Sequence, residues 1–125
     1  MTTYYTNEHE WISVDGDVGT VGITKFAAEK LGDVVFVELP DAGKQVKKEA
    51  DMAVVESVKA ASDVYAPVSG KVVEVNAALS DKPETINEDA YGDGWLFTMV
   101  IDDAEQLNEL LDPDAYAELL EEEDH

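Results

Sequence analysis

Val54-Val55-Glu56-Ser57-Val58-Lys59-Ala60-Ala61-Ser62-Asp63-Val64-Tyr65-Ala66-Pro67-Val68-Ser69-Gly70 is the stretch that decides how this chain folds. Its valines mark a strand that runs up to a lysine. A short polar turn follows, and a second β-branched segment returns to a Pro-x-Ser-Gly turn. Folded as a hairpin, the stretch puts Lys59 at an exposed tip, with its backbone held by a strand on either flank. An enzyme that modifies a lysine needs that presentation. Hairpin tips also carry lysine for solubility alone, so the stretch by itself leaves both readings open.

Turn signals recur on either side of it, at Asp15-Gly16-Asp17, Gly32-Asp33, Pro40-Asp41-Ala42-Gly43 and Gly92-Asp93-Gly94. Between them lie segments rich in β-branched and aromatic residues: Trp11 to Val14, Val18 to Ile23, Val34 to Leu39, Met52 to Val58, Lys71 to Val75 and Trp95 to Ile101. Six or more short strands at this spacing predict a small all-β barrel or sandwich. One inserted helix is predicted over Lys25 to Leu31, with Thr24 as N-cap and Gly32 as C-cap. Near the end, Leu107, Leu110 and Leu111, then Tyr116, Leu119 and Leu120, repeat at i, i+3, i+4. They predict two short amphipathic helices parted at Asp112-Pro113. Glu121 to His125 is expected to fray.

Eight lysines, no arginine and 29 acids give a net charge of −21. Without arginine to grip phosphates, a nucleic-acid partner is not expected. Since 45% of the residues are hydrophobic and patterned, the charge belongs to the surface of a folding domain. The longest apolar run, Trp95 to Ile101, is far short of the roughly 20 residues that span a bilayer. Met1 to Asn7 lacks the basic and apolar regions of a secretory signal, so a cytoplasmic protein is expected. The composition is halophile-like, since concentrated salt mutes such self-repulsion.

Catalytic groups are scarce. The chain has no cysteine, which removes thiol nucleophiles and thiolate metal sites. Its histidines are His9 and His125, and neither has the spacing of a zinc site. Carboxylates are so common that adjacent pairs arise by chance. Asn87-Glu88-Asp89 with Asp93-Gly94 lacks the ordered spacing of a calcium loop and reads as a turn. Gly16, Gly19 and Gly22 are spaced as strand and turn residues, not as a dinucleotide fingerprint. No metal site and no enzyme activity are predicted.

The Lys59 segment resembles the lipoyl-attachment hairpin of biotinyl/lipoyl carrier domains, and the chain as a whole resembles the H proteins of the glycine cleavage system. The likeness runs through Glu8-His9-Glu10-Trp11, Gly22-Ile23-Thr24, Leu31 to Pro40, Val55 to Ala60, Ser62 to Gly70, Val73 to Asn76, Ile86 to Asp89 and Tyr91 to Leu96. It implies a flattened barrel-sandwich hybrid with one inserted short helix and a C-terminal helical pair. Residues 1–125 would form a single carrier domain, with 1–101 as the β core and 102–125 as acidic helices. It further implies a non-catalytic carrier with lipoate attached covalently as N6-lipoyllysine at Lys59. The arm would carry aminomethyl and reducing equivalents from glycine decarboxylase (P protein) to aminomethyltransferase (T protein) and dihydrolipoamide dehydrogenase (L protein). A lipoate-attaching enzyme is a fourth partner, and a monomer is expected.

Val58 and Ala60 flank the lysine where biotin carriers usually have methionines, which favours a lipoyl arm. Under this resemblance Glu10, Asp63 and His9 are candidate arm contacts. Glu10 and Asp63 would stabilise a protonated amine, or would be ordinary solvated acids; His9 would touch the arm or brace the N-terminal strand. Glu56, Val58 and Ala60 are candidates for recognition by the attaching enzyme, as is Glu74. Trp11 and Trp95 read as core or cleft-wall aromatics. Lys30 stands where relatives often have histidine, and Ala90 where they often have proline. The alternative function is an octanoyl or lipoyl relay in lipoate metabolism.

Overall fold

The computed structural model describes residues 2–123. Nine strands carry the fold: β1 (Thr2–Tyr5), β2 (Glu10–Asp15), β3 (Val18–Ile23), β4 (Val34–Glu38), β5 (Gln45–Val46), β6 (Asp51–Ser57), β7 (Ala61–Tyr65), β8 (Gly70–Val75) and β9 (Phe97–Ile101). They form two antiparallel sheets, one ordered β1-β2-β3-β9-β8-β5 and one ordered β4-β6-β7. This is the expected flattened barrel-sandwich. Side chains that alternate inward from both sheets meet in one core, where Ile12, Val21, Val55, Val64, Val72, Phe97 and Met99 are buried. Each strand segment marked in the sequence is present, with ends that coincide with the expected ones or move by one or two residues in either direction. β1 and β5 are additional, being short and mostly polar.

Helix α1 (Lys25–Leu31) forms where its caps predict. The Thr24 hydroxyl accepts from Ala27 N at 3.2 Å, and Gly32 N donates to Ala28 O at 3.1 Å. Gly32 sits at φ 85° and ψ −157°, a region that essentially only glycine occupies.

The helical content beyond α1 departs from expectation in two ways. Two one-turn helices, α2 (Ala78–Asp81) and α3 (Thr85–Glu88), follow β8, so the insertion is not a single helix. They bury Leu79 and Ile86 completely, and four residues are too few to show a helical period. Of the Asn87-Glu88-Asp89 stretch, Asn87 and Glu88 therefore end a helix; beyond it the Asp89 carboxylate accepts from Asp93 N at 3.0 Å. At the C-terminus, the first of the expected pair is a 3-10 helix over Ala104–Glu109, not an α-helix. Leu111 forms a β-bridge with Tyr5, so the chain must be extended again almost at once. The second is α4 (Pro113–Glu123), with Asp112 accepting from Ala115 N at 2.8 Å. Glu121 to Glu123, where fraying is expected from the sequence, form the last residues of this helix; Asp124 and His125 lie outside the described residues.

Candidate functional site

Lys59 stands on the loop between β6 and β7, and it is exposed. The loop is organised by Ser57, whose hydroxyl accepts from Lys59 N at 3.2 Å and Ala60 N at 3.0 Å and donates to Ala60 O at 3.2 Å. One donor and two acceptor sites are thereby filled, so the tip is fixed without the lysine side chain. The tip also leans on the end of α1, since Val58 N donates to Asp33 O at 3.1 Å. Asn87 braces that end from behind: its Nδ2 donates to Gly32 O and its Oδ1 accepts from Val34 N, both at 2.8 Å.

The Lys59 side chain passes close to Gly32: a Cβ placed there would lie 3.4 Å from Lys59 Cε, at ordinary van der Waals contact.

A second centre forms at the far end of β7. Thr6 builds it, accepting from Glu8 N at 3.2 Å and Glu10 N at 3.1 Å through its hydroxyl oxygen while donating to Glu10 Oε1 at 3.0 Å. The other Glu10 oxygen accepts from Tyr65 N at 2.6 Å. Glu10 is thus 2% exposed yet fully bonded. Burial raises its pKa to about 7, against the lowering pull of the Tyr65 and Thr6 bonds and with a small push from Glu8. Glu10 borders a cavity of about 600 Å³ shared with Tyr5, Glu8, Lys48, Tyr65 and Glu109. Asp63 lies two residues before Tyr65, exposed. The Tyr65 phenol is raised above its usual value first by the charge of Asp63, then by burial and by Asp51, Glu8 and Glu10. Acids therefore dominate the field at this end of the strand.

The sequence candidates divide accordingly. Lys59, Val58, Ala60 and Glu56 share the hairpin tip, with Glu56 opposite Ala61 on one side and Phe36 on the other. Glu10 reaches Tyr65 N, six residues and roughly 20 Å from Lys59 along the strand, while Asp63 is exposed two residues nearer the tip. His9 follows φ 67° and turns away: its Nδ1 bonds the Tyr116 hydroxyl at 2.8 Å, and its ring lies 4.6 Å from that of Phe26. Lys30 holds its ammonium 5.3 Å over the same Phe26 ring. Glu74 lies on β8, in the other sheet from Lys59. Trp11 is buried, sharing its Nε1 hydrogen between Ile23 O and Ala90 O at 2.9 and 3.1 Å, while Trp95 is half-buried. Thr6, Ser57 and Asn87 went unremarked as site-building residues. Only the Thr-x-x-x-Glu spacing before β2 offered a local signal.

A two-sheet sandwich that offers one lysine on a braced hairpin defines a lipoyl-type carrier domain. A family model described as "Glycine cleavage H-protein" matches residues 3–123. A glycine cleavage system H protein of Stenotrophomonas maltophilia is 64% identical over 122 residues, covering 97% of this chain and 93% of the relative. One of Xanthomonas euvesicatoria pv. vesicatoria is 66% identical with the same coverage. The crystal structure of a glycine cleavage system H protein from Mycobacterium marinum superposes with a TM-score of 0.85 at 43% identity, over 94% of each chain. The chain belongs to the glycine cleavage H-protein family. Its members are the non-catalytic lipoyl carriers of the glycine cleavage system, with lipoate attached covalently to a lysine and the P, T and L proteins as partners. No helix among the described residues is long and apolar enough to cross a membrane.

Proposed function

We propose that Lys59 is the lipoyl-bearing lysine of this carrier, and that residues 1–125 act as a single monomeric carrier domain in the cytoplasm. The observation that carries the reading is the placement of Lys59, exposed, on the hairpin tip, with its loop held by Ser57 and Asp33. The lipoyl group supplies redox-active sulfurs that no residue of this cysteine-free chain offers.

The protein's own contribution is to hold the root of the arm and to offer a receptive surface. Glu10 and Asp63 supply that surface for a cationic amine on a loaded arm. A carboxyl with a pKa of about 7 gives up its proton readily when an ammonium group approaches, and in the ionised form it pairs with that group away from water. His9 serves as a brace, through Tyr116. Glu56, Val58 and Ala60 are read by the lipoate-attaching enzyme.

Intact mass tests the assignment. Treated with a lipoate-attaching enzyme and lipoate, the wild type is expected to gain one lipoyl group and Lys59→Arg none. A lipoyl adduct on Lys59→Arg would overturn it. With glycine and the P protein, only the lipoylated wild type is expected to gain a further aminomethyl mass.

A further inference from the structure

Val35 and Phe36 are consecutive residues of β4, yet 53% and 51% of their surfaces are exposed. A regular strand would send one of the pair into the core. Here the register with β6 slips between Val34 and Phe36, and the irregularity lets both face solvent. Val58, next to Lys59, is 70% exposed. These residues are neighbours: Val34 pairs with Ser57, Phe36 pairs with Glu56, and Val58 N reaches Asp33 O at 3.1 Å. A chain of net charge −21 therefore keeps three of its four most exposed large apolar side chains on the β4–β6 edge beside one lysine; the fourth, Val73 at 52%, lies on β8 in the other sheet. Asp33, Glu38 and Glu56 supply an acidic border.

We propose that Val35, Phe36 and Val58 form the docking surface for the enzyme that attaches the lipoyl group, an inference that rests on Lys59 being the attachment site. Reach selects this partner over the others. Attachment requires an activated lipoyl carbonyl to be brought to Nζ itself. The nitrogen lone pair attacks the carbonyl carbon, a C–N bond forms, and the bond to the donor's leaving group breaks with its electron pair going to that group. The nitrogen then loses a proton. An enzyme doing this covers the loop that carries Lys59 and the strand edge beside it, where Val58 is next to the lysine in sequence and Phe36 pairs with Glu56 at the end of β6. Enzymes that work on the sulfurs meet the carrier a full arm's length away and need not bury it. The partner's face is expected to have an apolar centre and a basic rim, matching the acids around the trio.

The test is the initial rate of lipoyl incorporation into the apo protein by a purified lipoate-attaching enzyme, read by intact mass. For the double variant Val35→Ser/Phe36→Ser, KM for the carrier is expected to rise about tenfold with kcat nearly unchanged, the pattern of a lost docking anchor. Both side chains are already exposed, so the melting temperature is expected to hold. The same variant, driven to full lipoylation with excess enzyme, is expected to accept aminomethyl groups from the P protein at the wild-type rate. An unchanged KM for attachment would overturn the proposal, as would an equal loss in both assays, which would make the trio a docking face for every partner. Incorporation into Lys59→Arg would instead overturn the assignment of the lysine.

Discussion

Glu10 shows how one buried side chain ties stability to chemistry. Its carboxyl ionises at about 7 in the folded protein, against 4.5 for a free one, because burial outweighs the two hydrogen bonds that favour the anion. Between those pH values the folded chain holds a proton that the unfolded chain has released. The stability Glu10 contributes is therefore full below pH 4.5 and is lost as pH rises through 7. Between pH 5 and pH 8 the loss amounts to about 2 kcal/mol, from 1.36 kcal/mol per pH unit. Glu10→Gln stays uncharged throughout, so the wild type should lose about 2 kcal/mol relative to it over that interval in urea denaturation. Parallel pH profiles would show that Glu10 ionises at an ordinary value. None of this is visible locally in the sequence, where Glu10 is one acid among 29. Its state depends on Tyr65, which lies 55 residues away.

At the scale of elements, α4 is fastened to the part of the chain that supports the lysine. Tyr116 stacks on Tyr5 with centroids 4.6 Å apart, and its hydroxyl donates to Thr24 Oγ1 at 2.7 Å while contacting His9 Nδ1 at 2.8 Å. Thr24 caps α1, and the end of α1 supports the Lys59 loop. Tyr116→Phe keeps the stacking and removes the hydroxyl, so it should lower the unfolding free energy by about 1–2 kcal/mol without changing the urea m-value. Tyr116→Ala also removes the ring and should cost about 3–5 kcal/mol. Equal effects of the two substitutions would place the hydroxyl outside the stabilising network. The caps of α1 were legible, because Thr24 and Gly32 act on their own helix, and so was the hairpin, whose strands and turn each have local chemistry. The one-turn helices α2 and α3 were not legible, since four residues carry no period. The 3-10 helix was misread for a different reason: Leu107, Leu110 and Leu111 do have helical spacing, but the bridge from Leu111 to Tyr5 overrides it.

For the whole molecule, the decisive quantity is the charge of −21, which lipoylation moves to −22 by neutralising one lysine. Like charges this dense repel across the folded surface more than across an expanded chain, so they oppose folding. The ion pair between Lys48 and Glu109, 3.1 Å apart and partly exposed, offsets little of this. Near the end of α4, Glu121 and Glu122 add a local penalty: they stand at the negative end of the helix dipole with no basic residue in the last turn. Salt acts on the repulsion directly, since the Debye length falls from about 10 Å at 0.1 M to about 3 Å at 1 M. The melting temperature should therefore rise by several degrees from low to molar sodium chloride. Glu121→Gln/Glu122→Gln should raise it in low salt and shrink the increment, because part of the repulsion is already gone. A wild-type curve flat in salt would sink the idea that self-repulsion limits stability. An increment unaffected by the double substitution would assign the salt effect to charges elsewhere on the surface.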